Sequence, residues 1–472
     1  EEDFSSVSDV RRMSIAPICP HWNPILPAEV SAKPLEKAKK KKYMSCSGKE
    51  YAYFIRNRGC KYYDQFEAYI DADVLVFNSQ KYLIETAMGR KPKTDLEIID
   101  ECDEFLDSLS NERTISLNRF LNSLTGLFPE TSEEKVTIKN IIKKVNDLLY
   151  EETEFPREEI KLLTEEISEL IQTVIDNPYL AEKEEDNYYN TVLEVFKSFD
   201  DMLDETYFLL SQSDRQNKSF GNNQQSFDGN VYLSLVSLSI AKKFKELQDS
   251  AEVMVLMSGT LHSERVLKDI FGLEDFKVIE AETLSPGTIS KYRTGLEKNC
   301  KYANFQNNSV TRKDYLKALE TGLLNARHPT LVHITSFKDL PTDLEKIQYN
   351  LKETISKEKL LALQENNGHK REIEKFKLGE KSILFTTKCA RGVDFPGEQC
   401  NSIIITRYPY PNISSLFWKI LREQQPDKFQ EFYMDKAKRE LLQKIYRGLR
   451  FSTDHVILLS PDVRVLDGNL DN

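Results

Sequence analysis

Five short apolar runs punctuate the chain from residue 252 onward: Val253–Met257, Thr330–Ile334, Ser382–Thr386, Ser402–Thr406 and Val456–Leu459. Between the later ones lie helix-like segments at 310–325, 341–365, 412–423 and 427–449. Strands that alternate with helices predict a mostly parallel sheet, so this half of the chain is an α/β body of its own.

Composition narrows the classes that such a body can serve. The chain has 472 residues, enough for about three domains. Hydrophobic residues make up 40% and charged residues 30%, and no apolar run reaches the length of a membrane span. A membrane-embedded protein is therefore excluded, and a cytoplasmic one is expected. The net charge of −11 excludes a uniformly basic coat protein but leaves room for a local basic groove. Seven cysteines in a chain of this length do not describe a secreted disulfide scaffold. The opening Glu1-Glu2-Asp3-Phe4 has no signal-peptide character and no initiator Met, so the chain is expected to begin inside a longer gene product.

The first half is organised differently. Residues 1–65 read as irregular and hold Cys19, Cys46, Cys60, Trp22 and the run Lys39-Lys40-Lys41-Lys42, with early prolines that oppose long helices. Asp73–Asn78 reads as a buried strand followed by a short helix through Tyr82. Leu96–Ile99 is another apolar run, and it ends on Asp100-Glu101-Cys102-Asp103. Residues 105–210 take helical spacing, as in Ile138, Ile141, Val145 and Leu148, and read as an acidic helical insertion. The polar stretch 211–230 reads as a loop or hairpin connection. The expected organisation is a cysteine-bearing region at 1–65, part of a first lobe at 66–104, the insertion at 105–210, a return to the first lobe at 211–261 and a second lobe at 262–472.

Several of these places carry chemistry. Nucleotide hydrolysis needs one carboxylate for Mg²⁺ and another to orient the attacking water. Asp100 and Glu101 at a strand end would deliver both, although a solvated strand end has the same appearance. Gln443, Arg447 and Arg450 follow helical spacing and share one face. Two arginines there could grip phosphate charge, and a solvated basic helix is the plainer alternative. Met257-Ser258-Gly259-Thr260-Leu261 and Arg391-Gly392-Val393-Asp394-Phe395-Pro396-Gly397 lie between them. Taken singly these are ordinary turns. Their order along the chain is that of superfamily-two helicases.

With those segments, Leu331–Phe337, Arg407-Tyr408-Pro409-Tyr410-Pro411 and Gln443–Arg450 included, the chain from Cys19 to Asp467 resembles the XPD/DinG family of iron–sulfur helicases, its archaeal-type members above all. The resemblance implies two RecA-like lobes with ATP between them, the first lobe carrying an iron–sulfur insertion and a helical arch. It implies ATP-driven 5′→3′ unwinding of single-stranded or forked DNA by a monomer, with repair proteins as partners. Asp100 would hold Mg²⁺ and Glu101 the water, while Gly392, Asp394, Gln443, Arg447 and Arg450 would meet the nucleotide. Asn78, Tyr82, Thr335 and Ser336 resemble DNA contacts, and Lys41 and Lys42 beside Tyr43 could line a single-strand path by charge and stacking.

Cys19, Cys46 and Cys60 resemble three of the four ligands of a 4Fe–4S cluster. A zinc site with His21 as fourth ligand and a set of unlinked thiols are the alternatives. Cys102, Cys300, Cys389 and Cys400 read as ordinary cysteines.

The chain also departs from the family. Cys102-Asp103 replaces Ala-His, and Tyr446 replaces a glycine. No Gly-x-x-x-x-Gly-Lys-Ser/Thr occurs, and Ser47-Gly48-Lys49-Glu50 lacks its leading glycine and its hydroxyl. A phosphate loop and a fourth cysteine are therefore expected upstream of Glu1, and this chain alone is expected to be inactive. The rival is a non-catalytic DNA-binding scaffold. A nuclease ranks below it, for want of an added carboxylate cluster.

Overall fold

The computed structural model describes residues 19–30, 35–109, 111–127, 129, 131–150, 158–177, 180, 187–212, 230–279, 287–365, 368–387, 389 and 392–468. Two compact units result. The first takes Glu1–Ser258, Lys268–Leu273 and Ile413–Pro426, and the second takes Gly259–Leu267, Glu274–Asn412 and Asp427–Asn472. The boundary expected near 261 is thus close for the main chain path, but 268–273 and 413–426 go to the first unit. The reason for the second transfer is packing. Helix Leu416–Gln424 buries Leu416, Phe417 and Trp418, and Phe417 N donates to Glu112 Oε2 at 3.2 Å.

The first unit begins with an antiparallel sheet of strands β1 (Ile25–Pro27), β2 (Lys39–Met44) and β3 (Glu50–Ile55), in the order β1-β3-β2. The lysine run is therefore an edge strand, where charged side chains block pairing with another chain. Asp73–Asn78 forms no strand. Leu75 and Phe77 pack against Tyr53, Phe66 and Tyr69, while Val74 and Val76 lie exposed. The expectation of a buried strand fails because no strand pairs with this run among the described residues, and an unpaired strand leaves its backbone donors without partners.

Strands β4 (Thr94–Ile99) and β9 (Ala251–Leu256) pair in parallel as a sheet of two. Leu96 stands opposite Val253 and Ile98 opposite Val255, and all four are exposed on one face. Between β4 and β9 lies the insertion. It is more than helical. Strands β5 (Asn111–Ser116), β6 (Ile160–Leu162), β7 (Thr206–Gln212) and β8 (Val231–Ser237) form an antiparallel sheet in the order β5-β8-β7-β6. Helices Leu117–Thr125, Ser132–Leu149, Glu165–Ile175 and Tyr188–Lys197 join it around a core of Phe120, Ile141, Leu170, Tyr189, Phe196 and Phe208. The helical reading of 105–210 is corrected to α+β, and β8 belongs to the insertion and not to the return path. The connection read at 211–230 falls mostly on 213–229, outside the described residues. Gln212 pairs antiparallel with Val231 on either side of it.

The second unit is the α/β body expected, except that the first of the five runs, Val253–Met257, forms β9 and pairs with β4 in the first unit. Strands β10 (Thr288–Lys291), β11 (Thr330–His333), β12 (Ile383–Thr386), β13 (Ser402–Ile405) and β14 (His455–Leu459) form an all-parallel sheet in the order β10-β14-β13-β11-β12. Successive residues serve opposite faces. Leu331, Leu384, Ile403, Ile405 and Leu458 pack on one side with Leu441, Ile445 and Phe395. Val332, Ile383, Phe385, Ile404 and Leu459 pack on the other with Leu319, Leu323 and Leu360. Both faces are covered, as a parallel sheet requires.

Gly448 sits where helix Pro426–Ile445 gives way to β14. A Cβ there would lie 2.9 Å from Val456 Cγ1, 3.1 Å from Ile403 Cδ1 and 3.4 Å from Cys400 Sγ, all three residues being fully buried. Gly448→Ala is expected to destabilise this unit by about 1–3 kcal/mol through overpacking. A thermal melt unchanged from wild type would show that the core yields there without cost.

Candidate functional site

Two groups of expected residues come together, one in each unit. In the first unit, β4 delivers Ile99 and the chain turns at once. Glu101 takes φ +50°, a left-handed conformation uncommon outside glycine, and starts helix Cys102–Asp107. Asp100 and Glu101 are both exposed at this strand end, and Glu101 N donates to Asp100 Oδ1 at 2.9 Å. Their carboxylate oxygens are the hard donors that suit Mg²⁺. Behind them the turn is stitched to β9. Met257 N donates to Ile99 O and Cys102 N to Met257 O, each at 2.9 Å. Asp103 is fully buried and accepts from Ser258 Oγ at 2.9 Å. The side chain that replaces the family's histidine therefore has a definite partner in the Ser258-Gly259-Thr260 segment. The departure at Asp103 was visible in the sequence. Its pairing with Ser258, 155 residues on, was not.

In the second unit, four expected residues converge. Arg447 is buried, at 5% exposure. Its Nη1 donates to Asp394 Oδ1 at 2.8 Å, its Nη2 to Gln443 Oε1 at 2.8 Å and its Nε to Gln443 O at 3.3 Å. Arg450 Nη2 donates to the same Asp394 oxygen at 2.5 Å. Gln443 Nε2 in turn donates to Thr260 Oγ1 at 2.5 Å. Gly392 stands exposed two residues before Asp394, at φ +76°, where glycine meets no steric penalty. One residue was missed by sequence reasoning. Asp454 is buried, and its carboxylate accepts from the backbone N–H of Arg450 at 2.7 Å, Phe451 at 2.9 Å and Gly397 at 3.1 Å. It fixes the turn that presents Arg450. A lone aspartate before a strand gives no sequence signal of that role.

The residues expected to meet DNA are less available. Tyr82 is buried and its hydroxyl donates to the buried carboxylate of Glu97. Asn78 caps helix Ser79–Ala87, its Oδ1 accepting from Lys81 N at 2.8 Å. Lys41 pairs with Glu67 at 3.0 Å and Asp71 at 2.5 Å, and Lys42 pairs with Glu50 at 2.7 Å. Thr335 Oγ1 donates to Arg407 O at 2.9 Å, and Ser336 caps the short turn to Asp339. Of these, only Asn78, Lys42 and Ser336 belong to the exposed class.

The three cysteines are not gathered. Among the described residues no group of three or more His, Cys, Asp or Glu side chains could hold a metal ion. Burial pushes the Cys46 thiol up. The described residues thus do not assemble the ligand set of either the cluster or the His21 zinc site. Cys102, Cys300, Cys389 and Cys400 are all buried, as core cysteines.

Known proteins resemble this chain in part. Residues 320–472 match the family described as the helicase C-terminal domain. A "probable ATP-dependent helicase" of Methanocaldococcus jannaschii is 26% identical over 250 residues, spanning 48% of this chain and 37% of the relative. The "3'-5' exonuclease DinG" of Staphylococcus aureus is 23% identical over 238 residues, spanning 48% of this chain and 26% of the relative. The chain thus spans well under half the length of either. Among solved structures, Xpd4 of S. tokodaii is 18% identical with a TM-score of 0.48, covering 82% of this chain and 77% of that one. An XPD helicase is 16% identical with a TM-score of 0.41, covering 87% and 70%.

Strands β11 to β14 and the Gln443–Arg447–Arg450 turn lie within the stretch 320–472 that matches the helicase C-terminal domain. Over about half of its length the chain is similar to DinG and to an ATP-dependent helicase, at 23–26% identity. Among the described residues no helix is long and apolar enough to cross a membrane.

His333, at the end of β11, ties this sheet to the arginine helix. It is fully buried, and its Nε2–H donates to Lys444 O at 3.0 Å. Burial first, then the nearby Lys444 charge, pushes its pKa from 6.5 down to about 3. The folded state therefore holds the neutral ring, while the unfolded chain binds a proton below pH 6.5. This contribution to stability is whole above pH 6.5 and falls by about 1.4 kcal/mol per pH unit below it, towards pH 3. Urea unfolding at pH 7, 5 and 4 is expected to show that loss in wild type and a shallower one in His333→Gln. Parallel pH profiles would remove His333 as the cause.

Proposed function

We propose that the native protein is an ATP-dependent DNA helicase that moves 5′→3′ on single-stranded or forked DNA, acts as a monomer and works with repair proteins. The observation that carries the nucleotide part is the convergence of Gln443, Arg447, Arg450 and Asp394 within the helicase C-terminal domain. In this reading Asp100 holds Mg²⁺, which would screen the triphosphate charge, and Glu101 orients the attacking water. Arg450 and Arg447 answer phosphate charge. Ser258 and Asp103 hold the carboxylate turn, and Gln443 and Thr260 hold the arginine turn.

The sequence contains no phosphate loop, so this reading needs one supplied in addition. The exposed apolar face of Leu96, Ile98, Val253 and Val255 supports a further element packing over the first unit's sheet. A 4Fe–4S cluster is not invoked for any step here. Lys42, Asn78 and Ser336 are the expected DNA contacts that the fold leaves exposed.

Two measurements on the full-length native protein test this reading. Glu101→Gln is expected to abolish ATP hydrolysis while single-stranded DNA binding persists, since the carboxylate acts on water and not on DNA. Wild-type turnover by that variant would leave the scaffold reading in its place. Arg447→Ala is expected to slow hydrolysis by about 10³ or more, with no rescue by Arg447→Lys, because lysine cannot reproduce the fork that spans Gln443 and Asp394. Full activity of the lysine variant would exclude a geometric role for the guanidinium.

A further inference from the structure

One carboxylate oxygen, Asp394 Oδ1, accepts from two guanidinium groups, Arg447 at 2.8 Å and Arg450 at 2.5 Å. That is how an arginine pair holds a phosphate oxygen. The two arginines differ in access. Arg447 is buried, and its three kinds of N–H are committed to Gln443 and Asp394. Arg450 and Asp394 each keep 41% of the side chain exposed. An incoming anion therefore meets Arg450 and Asp394 first, and the negative charge it meets repels it.

We propose that Asp394 is an internal stand-in for phosphate, which occupies the Arg447–Arg450 grip and must be displaced before a phosphate-bearing ligand can enter. The proposal rests on the reading that this pair takes phosphate, and it reverses the direct nucleotide contact expected of Asp394. Arg447 is then a positioning residue, held by Gln443, and Arg450 is the group that changes partner. Backbone bonds to Asp454 keep Arg450 in place through the exchange. The device disfavours adventitious anions: a ligand must bring enough charge to outbid a carboxylate already in position.

The test is titration of the 472-residue chain with inorganic pyrophosphate, without Mg²⁺, followed by calorimetry. Asp394→Asn keeps an accepting oxygen but removes the charge. It is expected to bind pyrophosphate about fivefold tighter than wild type, the scale of one partly exposed ion pair. Adding Arg450→Gln to that variant is expected to cancel the gain. Asp394→Ser gives the same comparison should the asparagine variant lose its fold by circular dichroism. Weaker binding by the neutral variants, with Arg450→Gln weakening it further, would keep the phosphate reading and overturn the stand-in. Equal affinity in wild type and neutral variants would also overturn it. No pyrophosphate binding by any folded form would overturn both.

Discussion

A parallel sheet covered on both faces has no room for polar side chains except at its strand ends, and the second unit is built by that constraint. The middles of β11, β12, β13 and β14 are aliphatic or aromatic and point alternately to two cores. Polar groups begin where the strands stop. His333, Thr386, Thr406 and Ser460 all sit at such ends and are buried. Each must find a partner on the spot, since an unmet polar group in such a place costs about 1–3 kcal/mol. Ser460 Oγ donates to Ile405 O at 2.6 Å, Thr406 Oγ1 to Asp339 at 2.9 Å and His333 to Lys444 O at 3.0 Å. These bonds hold neighbouring loops and the arginine helix in register with the sheet.

The same rule reaches the charged residues. Asp339 is buried beside Arg407, whose guanidinium lies 2.8 Å away and stacks over Phe305 and Tyr315. Asp462 is fully buried and accepts from Arg464 at 2.6 Å and from Tyr408 N at 3.0 Å. Asp454 binds three backbone N–H groups. Buried carboxylates in this unit are spent on fixing loops. Asp394 is different: it is partly exposed, and among the described residues it pairs with Arg447 and Arg450, which the proposed function assigns to phosphate.

How much of this could be read from the sequence follows from the same physics. Buried parallel strands have to be continuous apolar runs, so the four runs of the second unit are strands to within a residue or two, while Val253–Met257 is the strand β9 although its valines are exposed. Edge strand β10, Thr-Ile-Ser-Lys, is exposed at three of its four positions and leaves no such run. The insertion hid its strands for another reason. Asn111–Ser116 and Ile160–Leu162 are short and half polar, while the neighbouring helices carry strong apolar spacing. Val74–Phe77 misled in the opposite direction: a strand-like run needs a partner, and pairing is a property of the fold, not of the run. Motif spacing named Gln443, Arg447 and Arg450, but not as one helix face: the helix ends at Ile445, Arg447 follows in a short 3-10 turn, and Arg450 lies beyond it, placed by Asp454. Asp394, Thr260 and Asp454 come from distant loops, and only motif order hinted at the first two.

The two halves of the expected chemistry are held in opposite ways. The carboxylates lie exposed on a turn whose backbone is already unusual at Glu101, and the turn is held by backbone bonds to β9 and by the buried pair of Asp103 with Ser258. The arginines are held from every side: Gln443 by Thr260, Arg447 by Gln443 and Asp394, Arg450 by Asp394 and Asp454. A group that must bind and release a hydrated cation gains from exposure, because it need not strip the ion of all its water. A group that must answer charge on a transferring phosphoryl gains from being fixed beforehand, since reorganisation at that moment would raise the barrier. Fixing a cation in a half-buried turn carries its own cost, and an acidic partner is needed to hold it while no ligand is bound. Asp394 meets that need, and under the proposed reading the bond that holds the arginines is the one that a phosphate would have to displace.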